Sequence, residues 1–162
     1  MKTRDTLDIK GRLTLQMRNA ANEIVREVAA NNSIVLSGRD LVAKQFINET
    51  IAPISHVAVG TGFTPVDPAA DNQLENEIEI SPGIFRKAIN QIDPSVHLTT
   101  TADNRKKVLI TAELAAEQGN AALTEAGLFN SDTGGVMYNR VVFPEINKTT
   151  DFTLTLIWEI LF

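Results

Sequence analysis

Glu75, Glu77 and Glu79 recur at every second position of residues 74–80. On a strand they share one face, with neighbours about 6.5–7 Å apart from a rise of about 3.3 Å per residue. That is near the separation of the paired carboxylates that cleave glycosides. Such a pair works only when its two environments push the pKa values apart. Three like charges in a row instead read as a solvated acidic face, with Leu74, Asn76, Ile78 and Ile80 opposite them. The same Leu-Glu-Asn-Glu-Ile run would also make one helical turn.

No other catalytic constellation is complete. The two histidines, His56 and His97, stand far apart in the sequence. His56 lies in Ile-Ser-His-Val-Ala-Val, on the strand face opposite Val57 and Val59, and reads as a structural residue. His97 has no cluster of ligands around it, and a metal site needs three or four converging ones. Gly60-Thr61-Gly62 follows a strand pattern, but the third glycine of the dinucleotide fingerprint is missing. Pro65 and Pro68 stand where its helix should open. No serine sits in a G-x-S-x-G elbow. The chain has no cysteine, which removes thiolate chemistry, thiolate metal sites and disulfides, and suits folding in a reducing cytoplasm. The expectation is therefore no enzyme, no metal and no cofactor.

Composition narrows the remaining classes. The chain has 162 residues, 43% hydrophobic and 22% charged, which suits a single domain with a sizeable core. Its net charge of −5 argues against nucleic acid, whose affinity comes mainly from Lys and Arg. The one basic run, Arg105-Lys106-Lys107, reads as a solvated turn entering a strand. No stretch of about 18 apolar residues predicts a membrane span, and the first residues lack the apolar centre of a signal peptide.

The elements that position these residues are mainly strands. Residues 12–18 alternate Leu13, Leu15 and Met17 against Thr14 and Gln16, so they predict a strand. Residues 24–28 suit either a paired strand or the start of a helix. Ser37 with Asp40 three residues on is a variant capping box. Leu41, Val42, Gln45 and Phe46 then recur at helical spacing, predicting a helix over about 38–49. Strands are predicted over 54–59, 74–80, 107–114, 123–129 and 136–143. Pro144 ends the last of these because it lacks an amide donor. The segment 131–135 is a turn. In residues 153–162, Leu154, Leu156, Trp158, Ile160 and Phe162 share one wholly apolar face. Trp158 is therefore a core residue, and the strand belongs inside a sheet. Strands at regular spacing with turns between them indicate an antiparallel β-sandwich with one short helix. The segment before about residue 12 reads as extended or arm-like.

Three segments together carry a resemblance. The first is Leu-Ser-Gly-Arg-Asp-Leu-Val-Ala from Leu36. The second is Ile-Ser-His-Val-Ala-Val-Gly-Thr-Gly from Ile54, a Pro/Asp loop, and Leu-Glu-Asn-Glu-Ile from Leu74. The third is Leu-Thr-Glu-Ala-Gly-Leu-Phe-Asn from Leu123, then Gly134 through Phe143-Pro144-Glu145-Ile146-Asn147-Lys148-Thr149, and the strand holding Trp158. This order resembles small structural proteins of bacteriophage tails and phage-tail-like particles, associated with baseplates, tail fibres or fibre attachment. It covers roughly residues 36–162; residues 81–104 within that span carry none of it. The resemblance implies a non-enzymatic virion component, folded in the host cytoplasm and working beside other tail or baseplate proteins in a homo- or hetero-oligomer. A carbohydrate-binding or adhesive module, and a neck, collar or capsid-decorating protein, are the alternatives.

Framework roles fall to Gly60 and Gly62, which close a strand, and to Gly127, which permits close backbone approach. A loop over 63–72 is longer than a turn requires, and long loops are often functional. Contacts with neighbouring subunits are expected from it, from the start of the 54–65 segment and from the connection 145–152. Phe63, Pro65, Val66, Ile146 and Lys148 are the expected interface residues, with Phe63 as either a core plug or an aromatic anchor.

Overall fold

A computed structural model describes residues 9–162. Its elements in chain order are β1 (Lys10–Arg18), β2 (Ile24–Ile34), α1 (Leu36–Lys44), β3 (His56–Gly60), β4 (Lys87–Ala88), α2 (Pro94–His97), β5 (Leu98–Thr100), β6 (Lys106–Leu114), β7 (Ala122–Phe129), β8 (Met137–Asn147) and β9 (Thr153–Leu161). The protein is mainly β and antiparallel, as the alternation predicts. The strands form one curled nine-stranded sheet, a half-barrel, in the order β4-β3-β7-β8-β2-β1-β9-β6-β5. The two layers expected of a sandwich are here two arms of that one sheet. They are joined at β2, which pairs with β1 along most of its length and with β8 at Ser33 and Ile34.

One core lies between the arms. Leu13, Leu15, Ile110, Leu114, Leu154, Leu156 and Trp158 meet Val57, Val59, Leu123, Leu128, Val141 and Ile146 in a single cluster. Trp158 is fully buried, and β9 lies between β1 and β6, as its apolar face requires. The arms are also stitched near the far side, where the Asn90 amide donates to Thr111 O at 2.7 Å.

Several boundaries differ from the sequence reading. Residues 24–34 are strand throughout, which resolves the helix-or-strand ambiguity. β1 begins at Lys10, and the arm expected before about residue 12 falls mostly on residues 1–8, which lie outside the described residues. Helix α1 runs Leu36–Lys44, not 38–49. Its N-cap is Val35, without a side-chain cap, so Ser37 is not the capping residue. Its hydroxyl donates instead to Met137 O at 2.7 Å, tying the helix to β8. Asp40 pairs with Lys44 one turn on, at 2.8 Å. The helix stops because Gln45, Phe46 and Ile47 donate three residues back and Asn48 turns to φ 58°, a left-handed ending that Asn tolerates.

Pro144 does not end its strand either; β8 continues to Asn147. Leu123 pairs with Ile146 while Glu125 pairs with Val142. Three residues of β8 therefore stand opposite Thr124, and Pro144 occupies that bulge, where no ladder donor is needed. Residues 74–80 are not a strand: they contribute only the bridge Gly60–Glu77. The amides of Glu75 and Asn76 donate instead to the carboxylate of Glu125.

Candidate functional site

The outer face of β7 explains the detour. Glu125 is completely buried and Arg140, beside it on β8, is 2% exposed. Carboxylates are buried only when paired and hydrogen-bonded, and Glu125 is both. Its Oε1 accepts the Gly62 amide at 3.1 Å and the Asn76 amide at 2.7 Å. Its Oε2 accepts the Glu75 amide at 3.0 Å and Arg140 Nε at 2.8 Å. Arg140 then donates from Nη1 to Asp71 at 2.9 Å and from Nη2 to Glu75 at 3.3 Å. Burial pulls the Arg140 pKa down, but the hydrogen bonds to Glu125 and Asp71 outweigh it and leave the pKa raised. One carboxylate and one guanidinium thus fasten both ends of the loop 61–76 to the sheet.

Two glycines are fitted to this arrangement. A Cβ at Gly62 would stand 2.6 Å from Glu125 Oε1, and one at Gly127 would stand 2.8 Å from Asn139 O. Gly60 is buried at the end of β3.

A second arginine repeats the device lower on the same face. Arg86 Nε and Nη2 grip Glu77 at 2.8 and 3.2 Å. Its Nη1 donates to the carbonyls of Ser131 and Gly134 at 3.1 and 2.5 Å. Its guanidinium lies 3.6 Å from the centroid of the Phe129 ring, a cation–π geometry. The acidic stripe of the sequence is thereby broken up. Glu75 faces Arg140 and Thr64, Glu77 faces Arg86, and Glu79 points to solvent. The Thr64 hydroxyl and amide donate to Glu75 and hold its carboxyl below the usual range.

Lys148 is a third interior cation. Its ammonium donates to Ala115 O at 2.8 Å, Ala116 O at 3.1 Å and Asn120 Oδ1 at 2.9 Å, binding the turn before β7 to the end of β8. Burial pushes its pKa down to about 8, with Glu117 acting in the opposite sense. Lys148 and Ile146 are both buried within the chain. They are therefore not surface anchors, which corrects the sequence expectation; alternation places Ile146 toward the core, and the turn carbonyls draw Lys148 inward.

The loop residues fare differently. Phe63 is 76% exposed and Pro65 is exposed, while Val66 packs partly against Val35, Ala58, Leu74, Phe129 and Met137. Of the five expected interface residues, the structure groups Phe63, Pro65 and Val66 on one anchored loop. Beside them is a shallow cleft lined by Thr64, Asp71, Leu74, Glu75 and Arg140. Its charged groups already bond one another. Chemically this is a rigid platform carrying one aromatic ring, and it has no unengaged acid, base or nucleophile at its centre.

The histidines stand outside it. His56 Nδ1 lies 2.8 Å from Ser55 Oγ, and His97 Nδ1 accepts the Asp93 amide at 2.9 Å. Among the described residues, no helix is long and apolar enough to cross a membrane. Sequence reasoning missed Glu125, Arg140, Arg86 and Asp71. A charge inside an apolar strand was the available signal: Glu125 sits in Leu-Thr-Glu-Ala-Gly-Leu-Phe, and Arg140 precedes Val-Val-Phe. Comparison with known proteins finds no family profile, no curated protein and no solved structure that matches the chain.

Proposed function

We propose that this chain is a non-enzymatic structural component of a bacteriophage tail assembly, working in the baseplate or in tail-fibre attachment. One observation carries the reading beyond the sequence resemblance. The segments that bear the resemblance are those that fasten the 61–76 loop: Glu125 and Arg140 belong to the third segment and Gly62 to the second. The first, in α1, is bonded to β8 through Ser37. A framework that spends buried charges on one loop supports a role in presenting that loop to a neighbouring subunit. Phe63, exposed at its start, suits an aromatic anchor. The partners are then other tail or baseplate proteins, and the location is the virion after folding in the host cytoplasm.

A glycan-binding role has less support. Sugar faces stack best on exposed Trp and Tyr, yet the single Trp and the single Tyr, Trp158 and Tyr138, are both interior, and the exposed aromatic rings are those of Phe46, Phe63 and Phe85. The test is mass spectrometry of purified particles from cells carrying the gene, with and without its deletion. The chain should be present in stoichiometric amount, and deletion should leave tails without fibres or with incomplete baseplates. Normal, infectious particles lacking the chain would refute the reading.

A further inference from the structure

Sheet edges expose a row of unpaired backbone donors and acceptors, and proteins blunt them with short strands, proline, bulges or charges. Both ends of this sheet obey the rule: β4 has 2 residues and β5 has 3. The open side of the half-barrel is flanked by two further edges. On β8, beyond Arg140, that edge carries Pro144 and the bulge. On β2, residues 24–32 lie along β1 on one side, while among the described residues β8 is in register with the other side only at Ser33 and Ile34. This stretch is long, and its side chains are mostly exposed, Ile24 and Val25 among them.

We propose that this β2 edge is where a second copy of the chain adds, antiparallel and edge to edge, joining two curled sheets into one. The inference does not depend on where the protein works. It rests on the self-complementarity of the edge. In an antiparallel pair related by a two-fold axis, opposite residues share a face, so the axis must pass through one residue. An axis at Arg26 sets Arg26 against Arg26, and one at Glu27 sets Glu27 against Glu27. Like charges directly opposite are destabilising. An axis at Val28 sets Glu27 against Ala29 and Arg26 against Ala30. An axis at Ala29 sets Val28 against Ala30 and Glu27 against Asn31. Both of these registers are free of opposed like charges.

The two charges thus act as register selectors and shift pairing onto the uncharged run from Val28 to Asn31. The ladder irregularity where Met17 pairs with Arg26 but Arg18 pairs with Ile24 leaves Val25 unpaired. That bulge twists the start of the strand away and confines clean pairing to the same region. Ala29 and Ala30 add no bulk that would hold two backbones apart.

The absence of cysteine makes the test specific. Val28→Cys and Ala29→Cys are each prepared in the full chain, with exposed Thr150→Cys as the collision control. Residues directly opposite across an antiparallel pair approach within disulfide reach. Under mild oxidation at low concentration, one of the two should form a covalent dimer well above the control. Sedimentation equilibrium of the unmodified chain should show a reversible dimer. Lysine at the cross-linking position should weaken that dimer up to about fivefold by opposing like charges, while lysine at the other position leaves it intact. Thermal melts of each variant verify the fold. A chain that stays monomeric at every concentration overturns the proposal. So does a dimer that is indifferent to both lysines and cross-links no faster than Thr150→Cys.

Discussion

The two arms of the sheet bury their central strands by different means. In β9 alternate residues are buried and the rest are partly exposed, so one face meets the core and the other meets water. In β7 nearly every residue from Leu123 to Phe129 is buried. The second face of β7 is covered by the segment 61–86, which carries five acids and also packs Leu74 and Val66 against Phe129 and Ala58. Apolar burial holds β9 in place. The cover over β7 is held both by the apolar cluster around Leu74 and Phe129 and by Glu125, Arg140 and Arg86, which reach its backbone and its carboxylates. The contrast shows that buried ionic groups can join a small apolar cluster in fixing an acidic loop against a sheet.

The comparison breaks first if β9 proves dispensable. Removing residues 153–162 takes away the strand between β1 and β6 and should abolish cooperative folding, since total stabilities are typically about 5–15 kcal/mol. Trp158→Ala alone should cost about 3–5 kcal/mol by the cavity it leaves. Denaturant titration of the soluble fraction measures both. A truncation that still unfolds in one sharp transition would contradict the assigned role of the strand.

The other arm is tested through its charges. Glu125→Ala leaves Arg140 buried beside the weaker, more exposed Asp71 and Glu75, and frees three loop amides. Breaking one side of a buried ion pair typically costs about 3–4 kcal/mol. Arg140→Met should cost a similar amount, and the double variant less than the sum, because one network is lost in both. Hydrogen exchange should show the amides of Gly62, Glu75 and Asn76 losing protection before those of β9. Simultaneous exchange across both arms would mean that the loop is held by something other than this network.

These two arms were unequally legible. The β9 face, the β1 and β6 patterns and the burial of Trp158 follow from alternation because their surroundings are water on one side and core on the other. The strand at residues 123–129 was legible, but the loop over its outer face was not. Glu75 and Glu77 alternate like strand residues, and only the positions of Arg140 and Arg86, distant in sequence, decide which cations they pair with. Pro144 misled for a related reason: the sequence cannot show that a bulge will stand where the amide is missing. Lys148 follows a polar connection and looks exposed until the carbonyls of Ala115 and Ala116 are seen around it.

Alkaline titration sharpens the comparison at the junction of the arms. Tyr138, on β8 near the crossing with β2, is buried in the core, and burial raises its pKa from 10.0 to about 12. The folded state keeps this proton between those values while the unfolded chain releases it. The contribution is fully present below pH 10 and is lost as pH rises through about 12, a fall of about 2–3 kcal/mol. Tyr138 is the only tyrosine, so absorbance of the phenolate reports it alone. Tyr138→Phe should flatten the stability loss attributable to this group over that window. Ionisation near pH 10 without unfolding would show that the ring is accessible.

The smallest expected effect on stability concerns Phe63, and it separates the platform from what the platform carries. At 76% exposure its ring contributes little to the core, and surface substitutions usually stay within about 0.5 kcal/mol. Phe63→Ala should therefore melt with the unmodified chain, unlike Trp158→Ala or Glu125→Ala. If the ring anchors a neighbouring subunit, the same variant should enter particles poorly when it competes with the unmodified chain during assembly. Quantitative mass spectrometry of mixed particles reads that ratio directly. Equal incorporation would remove Phe63 from the interface and leave the loop as a structural cover for β7. A lowered melting point would place the ring in the packing that holds the loop, and would make the two arms more alike than their exposed surfaces suggest.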